Sequence, residues 1–389
     1  MIGRRRSLCR AVLGLLVAVA ALAVGVPADA GAAGSGQRAA STGAVWSVTD
    51  SGWYHTCGIR IDGSLWCWGD NGQGQLGLGD TAQRLEPTQV GRVTSWTRVR
   101  AGGSHTCAMR SDHTLWCWGL NVKGELGVGD TENRLEPTQV GTDTDWATFA
   151  VGGYHTCGIR TDGSLWCWGA NDDGELGVGD LTSRSTPTQV GGAEWSAVSA
   201  GGQHTCGVRR DQALYCWGLN SFGQLGLGDT VSRDEPAHVG KRSDWQQVSV
   251  SYGHTCGIRL AHGLWCWGDN EGGQLGLGDL TQRDTPTQVG KSVLWTQVET
   301  GSYLHTCGIL AKALYCWGLN SYGQLGQGDV TDRSTPTQVG SKSYWKGASE
   351  GVYHSCAVDR HHRLWCWGDN GAGQLGLGDV KTRLVPRRV

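Results

Sequence analysis

Little in this chain points to helix, to membrane or to nucleic acid. Phe and Met occur only twice each in 389 residues. After residue 30 no segment keeps a 3.6-residue apolar rhythm, which excludes a helical architecture. No apolar run beyond that point is long enough to span a bilayer. There is also no block of Lys and Arg of the kind that binds nucleic acid or anionic lipid. What abounds is Gly (64) and Trp (20). Glycine without a strict triplet period excludes collagen and indicates many tight turns.

The first thirty residues read differently from the rest. "MIGRRRSLCR" is a basic leader, "AVLGLLVAVAALAVGV" a short apolar core, and Ala28-Asp29-Ala30 a small-residue cleavage site. Residues 1–30 are therefore expected to be a secretory signal. Arg5-Arg6 followed by Ser7-Leu8 is compatible with twin-arginine export as well as the general route. Cys9 precedes the apolar core and is expected to leave with it. Residues 31–44, including "GAAGSGQRAASTG", read as a disordered linker. Without residues 1–30 the chain carries 29 basic against 34 acidic side chains, a formal charge of about −5. A secreted, acidic monomer without nucleic-acid or membrane partners is expected.

Residues 45–389 are one phrase written seven times. "CWG" starts at Cys67, Cys117, Cys167, Cys216, Cys266, Cys316 and Cys366, and an upstream cysteine recurs at intervals of 49 to 51 residues. Each copy holds four short apolar segments: W-x-x-V, H-T-C-G-I-R, L-W-C-W-G and P-T-Q-V. Four such segments between turns suit a four-stranded antiparallel unit. Seven units of about 50 residues suggest an all-β, seven-bladed propeller. If P-x-x-V of one copy joined the next copy's three segments, the two chain ends would complete one blade together. That phase is the expectation, and it would leave no open edge.

The motif W-G-x-N-x-x-G-Q-L-G-x-G-D resembles the regulator of chromosome condensation repeat, whose members form seven-bladed propellers. Kelch repeats have a similar period but lack this wording. The resemblance covers Val45 to Val389; a secreted bacterial-type variant is implied, and the cysteine pair departs from the pattern. The namesake's nucleotide exchange on a nuclear GTPase does not suit an exported acidic chain.

Register assigns the cysteines. With a three-residue loop Ile61-Asp62-Gly63 and Gly63 left-handed, Cys57 falls opposite Cys67 and Gly58 opposite Trp66. A Cα separation of roughly 4.5–5.5 Å would allow a disulfide. The same register pairs Cys107–Cys117, Cys157–Cys167, Cys206–Cys216, Cys256–Cys266 and Cys356–Cys366. A two-residue loop, Ala311-Lys312, does so for Cys307–Cys316. His113, Gln212, His262 and His362 must then adopt the left-handed conformation. Export makes disulfides expected. The alternatives were zinc held by His55, Cys57 and Cys67, which lacks a fourth ligand, and a redox pair. No metal or cofactor is expected.

Seven copies cannot all be an active site. The recurring His (His55 and its equivalents) is therefore read as framework, the Trp of C-W-G (Trp68 and its equivalents) as packing between blades, and the Asp80–Arg84 type pair as a loop brace. G-x-G-x-x-G at Gly72 and Gly371 lacks the βαβ setting of a dinucleotide site. The acids visible in the sequence look like repeat consensus, so no unique catalytic pair stands out and a glycoside-acting enzyme is disfavoured. What differs between copies is the turn before H-T-C: Trp53, Tyr54, Tyr154, Tyr252, Tyr303, Leu304 and Tyr353. Phe222 and Tyr322, in the N-x-x-G loop, form a second candidate patch. An aromatic rim suits an extracellular protein partner or, alternatively, a carbohydrate or cell-wall polymer. The resemblance also implies a β-lactamase-inhibitor-like role, since a secreted bacterial member of the group grips its target with aromatics in the matching turns.

Overall fold

The computed structural model describes residues 44–292 and 294–389. The expected signal, Cys9 and nearly all of the expected linker lie outside the described residues. Twenty-eight strands, β1 to β28, form seven four-stranded antiparallel sheets, with no helix among the described residues. The first sheet runs β1 (Trp46–Ser51), β2 (His55–Arg60), β3 (Leu65–Gly69), β4 (Arg84–Gln89). The other six follow the same order, so the molecule is a seven-bladed propeller. Each blade's first strand lies innermost: β5 (Trp96–Ala101), β9 (Trp146–Val151), β13 (Trp195–Ala200), β17 (Trp245–Val250), β21 (Trp295–Thr300) and β25 (Trp345–Glu350) are the counterparts of β1.

The β2–β3 hairpin has the expected register. Cys57 faces Cys67, Gly58 faces Trp66, and the other six copies repeat the pattern. All fourteen of these cysteines are joined as seven disulfides, with Cα atoms 4.1–4.2 Å apart. This is closer than expected, for a local reason. Arg60 N–H donates to Ser64, so every second pair outward is hydrogen-bonded and the cysteines occupy the non-bonded, closer type of pair. The turns are as strained as the register demands. φ is 64° at His113, 67° at Gln212, 56° at His262 and 60° at His362, and both Ala311 (50°) and Lys312 (70°) are left-handed.

The expected blade phase is corrected. β4 belongs to the same sheet as β1, so each blade is one uninterrupted copy and the chain ends do not share a sheet. The ring closes by packing. Trp46 and Trp68 of blade 1 are buried against Cys356, Leu364, Cys366 and Leu375 of blade 7. Trp46 N–H donates to His362 O at 2.8 Å, and Gly378 N–H donates to Leu85 O at 2.9 Å. A blade face covered with indole and disulfide is sealed by burial, so no strand edge needs to be exchanged across the seam. The other six junctions repeat the arrangement: each blade's disulfide packs beneath two tryptophans of the next, as Cys57–Cys67 does beneath Trp96 and Trp118.

Candidate functional site

The repeated polar residues are framework. His55 Nε2 lies 2.9 Å from Thr106 Oγ1 of the next blade, and Thr106 Oγ1 donates to Gln75 O at 2.8 Å. Since the hydroxyl's one proton is spent on that carbonyl, the imidazole must donate from Nε2. Trp118 Nε1–H donates to the same Gln75 carbonyl at 2.9 Å. Equivalent bonds recur around the ring, from His105 to Thr156 and finally from His354 back to Thr56. All seven imidazoles are fully buried. Burial lowers their pKa to about 3, or about 4 for His155, so they stay neutral. The Asp80–Arg84 type pair braces its own loop in all seven copies, at 2.5–2.7 Å. Both cysteine sulfurs of each hairpin are bonded to one another, which leaves no thiolate to ligate zinc.

The turn between the first two strands of each blade forms one rim around the channel. Neighbouring turns are tied by backbone bonds, such as Trp53 N–H to Gly102 O (3.2 Å) and Gly153 N–H to Gly201 O (2.9 Å). The approach is so close that a β-carbon at Gly102 would stand 2.4 Å from Gly152 O. On this rim the structure brings most of the non-repeating aromatics together. Nineteen of the twenty tryptophans occupy repeat positions and Trp53 is the exception. Its indole crosses the glycine turns of blades 2 and 3, within 3.2 Å of where β-carbons of Gly103 and Gly153 would be. It meets Tyr154 edge-on at 5.3 Å. Across the ring, Tyr252, Tyr303 and Tyr353 form a chain at 6.5 and 6.1 Å.

The second patch merges with the first. Tyr322 lies 4.7 Å from Tyr353, and Phe222 lies beside Gly253 next to Tyr252. Leu304 packs near Gly272 of the neighbouring loop. Tyr54 is near Asp369, Tyr322 and Asp70; burial, reinforced by those neighbours, raises its hydroxyl pKa. All these side chains are half-buried except Tyr322, which is 43% exposed.

The channel holds groups that reading the sequence missed. All seven innermost strands line a cavity of about 270 Å³. Its ionisable side chains are Asp50, Arg100, Glu299 and Glu350. The equivalents of Asp50 in the other blades are Arg100, Ala150, Ser199, Ser249, Glu299 and Ser349, so these acids are not consensus. The premise that all acids repeat is therefore corrected. Asp50 accepts from Arg100 Nη1 at 3.0 Å and from Ala101 N–H at 2.8 Å. Glu299 accepts from Gln297 Nε2 (3.1 Å) and Ser249 Oγ (3.4 Å). Glu350 is 6% exposed, and neither carboxylate oxygen has a hydrogen-bond partner. Burial first, then repulsion from Glu299 and Asp50, raises its pKa well above the usual value. The available signal was the break in alternating small residues after W-x-x-V. No set of three or more His, Cys, Asp or Glu among the described residues is placed to hold a metal ion.

A family model described as the regulator of chromosome condensation (RCC1) repeat matches residues 62–109, 112–159, 162–208, 211–258, 262–308 and 313–358. The chain belongs to this family. Each matched RCC1 segment runs from one blade's hairpin turn to the second strand of the next, out of phase with the blades themselves. Solved structures with the same fold include human WBSCR16, 22% identical over 84% of this chain and 93% of that one, with a TM-score of 0.75. Prp20p of Saccharomyces cerevisiae is 20% identical over 89% and 87%, TM-score 0.73. The Physcomitrella patens receptor kinase CR4 ectodomain is 17% identical over 84% and 74%, TM-score 0.54. No curated protein matches the sequence. Measured against the RCC1 repeat wording, the addition here is the cysteine pair of each hairpin.

Proposed function

We propose that the protein is an exported, non-catalytic RCC1 propeller that, as a monomer, captures a partner protein on its aromatic rim. The observation that carries this reading is the convergence on one rim of the aromatics that escape the repeat consensus. Half-buried rings on a braced scaffold have little conformational freedom left to lose on binding, which favours affinity. Asp70 and Asp369 beside the tyrosines favour a partner with basic groups. A family precedent for protein binding is Prp20p, whose structure is described with its binding properties to Gsp1p and histones. No helix among the described residues is long and apolar enough to cross a membrane.

The test is affinity capture from culture medium and cell envelope, with the mature chain and a Y154A/Y303A/Y353A variant side by side. The variant is expected to keep its thermal unfolding midpoint and lose the captured protein. Unchanged capture would sink the rim assignment. N-terminal sequencing of the secreted product is expected to begin near residue 31. The close, tilted Tyr322–Tyr353 pair supports a second reading, since aromatic rings also pack on sugar rings. Retention on purified wall polymer, with no protein recovered, would favour it.

A further inference from the structure

The channel beneath the rim carries an unbalanced charge. Asp50 and Arg100 neutralise one another across 3.0 Å. The strands β9, β13 and β17 present no ionisable side chain to the cavity. Glu299 also feels the Arg100 guanidinium, which leaves Glu350 as the acid that only other acids face; Glu299 and Asp50 both repel it. Glu299 has two neutral donors, whereas Glu350 has none and is almost fully buried. An unpaired buried carboxylate is costly and calls for a complementary cation.

The cavity also indicates what kind of cation fits. Among the described residues no three His, Cys, Asp or Glu side chains are close enough together to chelate a metal, so a compact divalent ion is a poor match. At about 270 Å³ the space is smaller than a drug-sized pocket but ample for one head group. Glu350 ends β25, and three residues on, Tyr353 joins the aromatic rim. A cation entering at the rim therefore starts among aromatic side chains, which favour positive charge, and ends at a carboxylate. Planar donors on a slender stem suit both environments.

We propose that the channel is a binding pocket for one organic cation, an amine or guanidinium, paired with Glu350 and Glu299. A basic side chain of the rim's partner and a free small cation share this chemistry. Only the first source rests on the rim reading.

Calorimetric titration of the mature, oxidised chain separates these cases. The probes are acetyl-Gly-Arg-Gly-amide, agmatine and the neutral isostere acetyl-Gly-citrulline-Gly-amide. At least one cation is expected to bind, with the citrulline peptide at least tenfold weaker and E350Q also at least tenfold weaker for the cation. E299Q, whose carboxylate already has donors, is expected to lose less. Binding of the arginine peptide alone assigns the pocket to a partner's side chain; equal binding of agmatine assigns it to a free cation. Retained agmatine binding in Y154A/Y303A/Y353A would keep the pocket even if partner capture failed. Absence of binding by either cation at millimolar concentration overturns the proposal. So does an affinity unchanged by E350Q or by citrulline, with the variant's folding verified by its thermal midpoint.

Discussion

Five residues separate Asp50 from His55, yet the two obey opposite rules. His55 stands for the blade junctions, where the bond from a histidine Nε2 to the next blade's hydroxyl is copied seven times. Asp50 stands for the channel, where charges occur in single copies and one acid has no partner. His55 is buried and Asp50 half-buried, and both have displaced pKa values, but in opposite senses. The histidines are held neutral by losing their charged form; the acids resist charging in the same solvent-poor interior. Repetition is therefore the mark of the scaffold, and its failure marks the places where something else is expected to bind.

Acid should break this comparison most severely. Each junction histidine has a folded pKa of about 3 or 4 against about 6.5 unfolded. Between those values the unfolded chain binds more protons, so stability falls as pH falls, by up to ~1.4 kcal/mol per pH unit for each histidine. The channel acids act oppositely: with folded pKa values raised, Asp50, Glu299 and Glu350 gain relative stability as pH drops. Seven imidazoles outweigh three carboxylates, so urea midpoints should fall steeply from pH 6.5 to pH 4. A midpoint that stays flat would show that the histidines are charged or exposed.

Cys206→Ala with Cys216→Ala comes next. Loss of one hairpin closure is expected to cost roughly 2–3 kcal/mol, together with a void beneath Trp245 and Trp267. Equilibrium urea unfolding measures it, and cation binding should persist below the transition. E350Q should do the reverse, raising stability at pH 7 by ~1 kcal/mol because it removes an unpaired buried carboxyl that must either charge in place or take up a proton on folding. The gain should shrink as pH falls and be gone below pH 4.5, where the wild-type group is protonated in both states. A gain that is constant with pH would place the carboxylate in water. The smallest effect is Gln212→Gly, which relieves a left-handed φ of 67° for ~0.5 kcal/mol of net stabilisation after the chain entropy of glycine is counted, read as a small rise in thermal midpoint.

Much of the scaffold was legible because its logic is local. The cysteine pairing follows from counting residues around one turn, and His113, Gln212, His262 and His362 proved left-handed where that count put them. The blade phase was not legible, since P-T-Q-V sits as plausibly before W-x-x-V as after L-W-C-W-G. Only burial of Trp46 and Trp68 on blade 7 makes a shared strand unnecessary. The rim was legible as a list of aromatics but not as a surface. The reach of Trp53 over two neighbouring blades depends on glycines at 103 and 153 that carry no side chain to stop it. The channel acids were illegible for a different reason. Asp50 and Glu350 are 300 residues apart in the chain, and only the closed ring makes them neighbours.

The seam between blades 1 and 7 has a consequence for the order of events during synthesis. Six junctions join copies that follow one another along the chain, and each can form as the next copy arrives. The seventh must wait: Trp46 and Trp68 lose contact with water only once Leu364, Leu375 and their neighbours have been made. A product cut short by a single copy would keep two large indoles uncovered, a ready target for proteases that read exposed apolar surface. Closure of the ring is thus registered at one place in the molecule, by whether two tryptophans are dry.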